Sequence, residues 1–179
     1  MIALLFDTET TGLIENGLRP LIHQAEVIEF YSCMADLRTG EIQDDFEAMI
    51  KPRTRMSQET IEKTKTKLSN EMLEGAPSFE SLADKIKDII ETAPLVIAHN
   101  ASFDKEIISI EMQRCGKQVR WPPVVCTIEQ TMHLKGFRLS LSNLHLHLFN
   151  EEFIDAHRAK ADVKALLRCC TELYARGEI

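Results

Sequence analysis

Over the first seven residues, Ile2, Leu4 and Phe6 alternate with Ala3, Leu5 and Asp7, so an extended segment here is apolar on both faces almost to its end. That pattern predicts a central strand covered from two sides. The stretch "EVIEFYSCMADLRTGEI" predicts a second strand running to a turn at Thr39-Gly40, and "DFEAMIKP" its antiparallel return, ended by Pro52. From Ser57 to Glu91 the spacing is helical, in two pieces broken near Gly75 and Pro77, with Ser78 as N-cap of the second. "PLVIAHN" predicts a short buried strand, followed by a helix over 101–115 that Gly116 ends. "PVVCT" predicts a further strand, then helices near 127–134 and 140–149 and a last one from Ala159 to Arg176. Strands first, then alternating helices, with no repeats or linkers, predict one α/β domain over 1–179, a mixed sheet with helices on its faces.

The first strand raises a chemical question, because "LLFDTETTG" ends an apolar run in two carboxylates. Asp7 and Glu9 are two apart, so on an extended backbone they share a face, where each raises the other's pKa. Either the strand ends in water there or a cation lies between them. Asp104 and Asp162 repeat the theme. Each heads a helical stripe, the first of Ile107, Ile108, Met112 and Cys115, the second of Leu166, Cys169 and Leu173. Any one of these acids could be a charge complementing a helix N-terminus. Four of them would oppose one another unless protonated or bridged by cations, and hard carboxylate oxygens without thiolates suit Mg²⁺ or Mn²⁺.

Charge and composition then bear on that reading. The 179-residue chain is 44% hydrophobic with a formal net charge of −7, which by itself disfavours a polyanionic partner. Two divalent cations on the four acids would add +4 and bring −7 to −3. The clusters Lys51-Arg53-Arg55 and Lys63-Lys65-Lys67 are then the candidate phosphate tracks. Five cysteines without a C-x-x-C pair fit a reducing, cytoplasmic setting. No basic-then-apolar leader and no bilayer-length apolar run are present, which predicts no membrane partner.

Three segments in order, "FDTETTG" with Asp7 and Glu9, "HNASFD" with Asp104, and "HRAKAD" with His157 and Asp162, resemble the exonuclease motifs of the DEDDh family. That family comprises 3′–5′ exonucleases of ribonuclease H-like fold, among them the proofreading subunit of bacterial replicative polymerase and ribonuclease T. The resemblance implies a ribonuclease H-like mixed sheet flanked by helices on both faces. It implies that Asp7, Glu9, Asp104 and Asp162 hold two divalent cations, and that His157 is the general base. A tyrosine-using relative would carry that residue where this chain has Arg158. The resemblance also gives Thr10, Thr11 and Gly12 to contacts with the terminal nucleotide, and His99 and Asn100 to the surroundings of the scissile phosphate. Phe103 could stack on a base or fill the core, and His133, His145 and His147 read as structural or exposed.

Two positions depart from the family pattern: Thr66-Lys67 stands where many relatives have His-Gly, and Cys126-Thr127 where they often have Asp-Thr. The first leaves Thr66, or the lysine after it, as the nucleotide contact. The implied activity is metal-dependent hydrolysis from the 3′ end of single-stranded or frayed DNA, releasing nucleoside 5′-monophosphates. The alternatives are an RNA-trimming enzyme of the same fold and an inactive nuclease-like binding module. The implied partners are a nucleic-acid 3′ end and a polymerase or other replication or repair protein, with the chain acting as monomer or homodimer.

Overall fold

The computed structural model describes residues 1–15, 20–64, 66–154 and 156–179. A five-stranded sheet has the order β3-β2-β1-β4-β5, built from β1 (Ile2–Thr10), β2 (Val27–Asp36), β3 (Glu41–Met49), β4 (Val96–Ala98) and β5 (Val124–Cys126). β1, β2 and β3 form an antiparallel meander, whereas β4 and β5 run parallel to β1. The helices are α1 (Gln58–Thr64), α2 (Asn70–Leu73), α3 (Phe79–Glu91), α4 (Ala101–Arg114), α5 (Thr127–Gln130), α6 (Met132–Lys135), α7 (Leu141–Phe149) and α8 (Ala159–Ala175).

The alternation along β1 explains the layering. Leu4 and Phe6 face one side and pack with Phe30 of β2 and with Ile86, Ile90, Ile107, Ile108 and Met112 on the apolar sides of α3 and α4. Ala3 and Leu5 face the other and pack with Tyr31, Cys33, Val163, Leu166 and Cys170 under α8. β1 is therefore covered by helices on both faces, as its doubly apolar pattern predicts. On the far flank of α8, Cys169 packs with Leu139 and Leu144 at α7. All five cysteines are free thiols, and Cys33, Cys169 and Cys170 are buried as small apolar groups.

Three elements depart from the sequence expectation. β1 runs to Thr10 rather than stopping near Asp7, because its pairing with β2 continues, with a register shift between Glu9 and Thr10. The 57–91 region forms three helices, not two, since the Ser69 side chain accepts a hydrogen bond from the Met72 amide and starts α2 separately. The segment near 127–134 is likewise two short helices, α5 and α6, divided at Thr131. No described helix is long and apolar enough to cross a membrane.

Candidate active site

The site forms at the C-terminal end of β1, where the parallel neighbour β4 also ends and delivers the chain into α4. Asp7 and Glu9 share parity with Ala3 and Leu5, so they lie on the face that α8 covers. Asp162, in the first turn of α8, meets them there. One carboxylate oxygen from each of Asp7, Glu9 and Asp162 lies within 4.8 Å of the other two. Asp104 approaches from the opposite face. It sits in the first turn of α4, almost fully buried, and its Oδ1 accepts bonds from the Thr8 amide at 3.1 Å and the Thr8 hydroxyl at 2.7 Å. Thr8 has the other parity, so the strand end is held between two acids from two helix layers.

The electrostatics follow from that crowding. Burial pushes the Asp7 carboxyl well above its ordinary range, and the charges of Asp104, Asp162, Glu9 and Glu29 push it further. Burial likewise raises Glu9 to about 8, with Asp162, Glu29 and Asp104 adding to the effect and Arg158 opposing it. Asp162 rises to about 6 through burial, against which the His157 amide works by donating to its Oδ2 at 3.2 Å. Asp104 is raised by burial despite its bonds from Thr8. Three hard oxygen donors this close, all made reluctant to ionise chiefly by burial, fit a divalent cation. Among the described residues, they are the group of acids whose geometry could hold one.

His157 is exposed, two residues before α8, with a left-handed φ of 70° that turns the chain into the helix. The residue after it is clamped. Arg158 reaches Glu29 on β2 through Nη2 at 2.7 Å and Nε at 3.0 Å, and the Ala159 amide donates to the same carboxylate at 3.2 Å. Glu29 sits directly opposite Glu9 in the β1–β2 register. From the sequence, Arg158 is noted only as the residue after the histidine, and Glu29 is not singled out. The available signal was a lone acid inside the apolar run "VIEFY" and an arginine next to the histidine.

The remaining candidates divide. Thr10 donates its hydroxyl to the Gly12 carbonyl at 2.7 Å, and the Thr11 hydroxyl accepts from the Glu26 amide at 3.0 Å, so both side chains build the turn itself. Gly12 faces open space, with no atom within 4 Å of where a Cβ would stand. Asn100, at a left-handed φ of 71°, precedes α4 and accepts from Arg138 at 2.9 Å. Phe103 is half-buried against the α3–α4 core.

Two of the candidates have partners within the protein. The His99 ring is engaged within the protein. Its Nε2 must donate to the Leu139 carbonyl at 3.1 Å, which leaves Nδ1 to accept from the Thr127 hydroxyl at 2.9 Å. Both ring nitrogens are thus engaged, and burial lowers the ring's pKa to about 4. Thr66 is buried, its hydroxyl accepting from the Leu68 amide, so Lys67 offers the exposed surface there.

The basic clusters are mostly paired with acids: Lys51 with Glu74, Arg53 with Glu26 and Glu111, Arg55 with Glu71, and Lys63 with Glu59. Lys65 lies outside the described residues. His145 is buried between Phe149, Phe153 and the Glu151 carbonyl, and His133 and His147 are exposed.

The family model described as Exonuclease matches residues 4–169. The chain is 32% identical over 166 residues to a PolC-type DNA polymerase III of Halalkalibacterium halodurans, covering 90% of this chain and 10% of that protein. It thus spans about a tenth of the length of the curated relatives it matches. Among solved structures, the nuclease domain of 3′hExo, a DEDDh family member bound to rAMP, superposes with a TM-score of 0.76 at 18% identity, covering 98% of this chain and 92% of that one. Exonuclease X in complex with 5′-overhanging duplex DNA gives 0.67 at 18% identity, over 97% and 92% of the two chains.

Proposed function

Because the chain belongs to the Exonuclease family, we propose that it is a metal-dependent 3′–5′ exonuclease of DEDDh type, acting on single-stranded or frayed DNA ends. The observation that carries the reading is the convergence of Asp7, Glu9 and Asp162 within 4.8 Å at the end of a buried strand, beside an exposed histidine. Divalent cations, Mg²⁺ or Mn²⁺, held by Asp7, Glu9, Asp162 and the free oxygen of Asp104, would supply Lewis acidity to activate water and steady the departing 3′ oxygen. The protein's own part is to hold those carboxylates ready. β1 fixes Asp7 and Glu9, α8 fixes Asp162, and Thr8 fixes Asp104. His157, exposed and outside the packed stripe of α8, would take the proton from the attacking water at its imidazole nitrogen.

DNA is favoured over RNA because the relatives at 31–33% identity are DNA polymerases, whereas the RNA-binding likeness is structural and at 17% identity. Nine-tenths of those polymerases' length has no counterpart in this chain. A proofreading or repair role would place this hydrolysis beside a polymerase activity. The intact set of four acids and His157 weighs against an inactive binding module.

Matched DNA and RNA oligomers, labelled at either end and incubated with Mg²⁺, test the reading. Shortening from the 3′ end, faster on DNA and abolished by chelator, is expected. Full activity in chelator, or shortening from the 5′ end, would overturn it.

A further inference from the structure

Beside the acid cluster lies a groove of about 380 Å³, walled by the stretch Thr66–Lys67, by Arg158, and by Lys160 and Lys164 in the first turns of α8. Glu29 also lines it, and Glu29 sits opposite Glu9, so the groove begins where the acids end. Four cations line it against two carboxylates, Glu29 and Glu47. Both carboxylates are already neutralised, Glu29 by Arg158 and Glu47 by Lys160. Lys67 and Lys164 are exposed and have no carboxylate partner among the described residues. On a chain of net charge −7 whose other basic clusters are largely paired, two unpaired ammonium groups bordering one groove form a local site for anions. Lys67 also holds a left-handed φ of 58°, a conformation glycine would adopt at lower cost, so the position keeps a lysine against its backbone preference.

We propose that this groove carries the phosphate backbone of the strand on the 5′ side of the scissile bond, with Lys67 and Lys164 contacting its phosphates from two different segments of the chain. The proposal rests on the acid cluster being the hydrolytic centre, and it adds a direction to the substrate. From the acids the strand leaves past Arg158 and along the start of α8. A dinucleotide has a single internucleotide phosphate, the scissile one, so it offers no backbone phosphate to the groove and longer single strands gain affinity there.

Binding of a fluorescent decanucleotide, measured by anisotropy in chelator across a salt series, reads the groove without hydrolysis. Each lysine–phosphate contact contributes about 0.7 to the slope of log affinity against log salt for a single strand, or about fivefold in affinity between 1 M and 0.1 M salt. Lys67→Gln and Lys164→Gln should each reduce the slope by about 0.7 and weaken binding about fivefold at the lower salt, and the double variant by about twice that slope. In hydrolysis with Mg²⁺, both variants should lose part of the wild-type advantage of the decanucleotide over a dinucleotide. Lys117→Gln, at the far end of α4 and paired with Asp84, should keep the wild-type slope. An unchanged slope in both groove variants would overturn the proposal, as would a change confined to duplex substrates, which would put the complementary strand there. Failure of the wild type to hydrolyse any oligomer would count against the exonuclease reading and leave the binding result to judge the groove.

Discussion

Arg158 and Glu29, 129 residues apart in sequence, form a two-point ion pair that ties the start of α8 to β2 directly beside the acid cluster. The Glu29 side chain is 1% exposed and that of Arg158 is 32% exposed. The pair therefore fixes the backbone on the C-terminal side of His157, while the left-handed turn at His157 sets the direction of entry. Removing one partner should be worse than removing both, because it strands a charge. Arg158→Met should lower stability by about 2–3 kcal/mol, below the fully buried range because the guanidinium keeps some water. Adding Glu29→Gln to it should recover much of the loss. Thermal melts of the two single variants and the double variant measure this, and additive losses would show that the pair is not coupled.

His157→Ala should reduce turnover by roughly 10²–10⁴-fold, the usual worth of a positioned general base. The melting temperature should hardly move, since the side chain is exposed and its loss opens no cavity. Asparagine is the better control than a β-branched residue, because it tolerates the left-handed backbone that this position needs. A variant as fast as wild type would remove the histidine from the mechanism.

Stability without metal should fall as pH rises. Glu9 titrates near 8 and Asp162 near 6 in the folded chain, against about 4.5 and 3.8 when unperturbed. Between those values the folded state binds more protons than the unfolded one, so unfolding becomes easier with rising pH. Mg²⁺ should therefore raise the melting temperature more at pH 8 than at pH 5. Asp7→Asn should flatten the metal-free pH dependence and stabilise the metal-free protein, while losing metal affinity and activity. A metal-free melting temperature that rises across this window, with the same slope in Asp7→Asn, would refute the account.

His99 contributes with the opposite sign. Its pKa near 4, below the usual 6.5, means that the fold prefers the neutral ring. Its contribution is complete above pH 6.5 and is lost as pH falls toward 4. His99→Leu should cost about 1–3 kcal/mol by unpairing the Leu139 carbonyl and the Thr127 hydroxyl, and should leave the pH dependence of turnover in place. A shift in that pH dependence would return His99 to the reaction.

The parts of the site legible in the sequence were those written in local period. Parity along β1 placed Asp7 and Glu9 on one face, and the helical stripes placed Asp104 and Asp162 at the sheet. The order of the three motifs supplied the rest of the family reading. What the sequence did not disclose depends on partners brought together only by the folded chain. The Arg158–Glu29 pair joins β2 to the start of α8 across β3 and all the helices between. The inward bonding of His99 depends on the segment around Leu139, forty residues on. The basic clusters looked free because a run of lysines carries no record of the glutamates that meet it in space.

The bond from Thr8 to Asp104, crossing to the face opposite Asp7 and Glu9, makes β1 a two-sided ruler. Its odd residues are read by α8 and its even residue by α4. Side chains in the strand can be exchanged one at a time, and the helix layers can drift, without moving this alternation. Deleting a single residue between Leu4 and Asp7 would do what no substitution can. It would turn both acids toward α4 and the threonine toward α8, inverting the whole centre in one step. The strand is accordingly tolerant of altered spelling and intolerant of altered length, and its count of residues is as much a part of the chemistry as the carboxylates are.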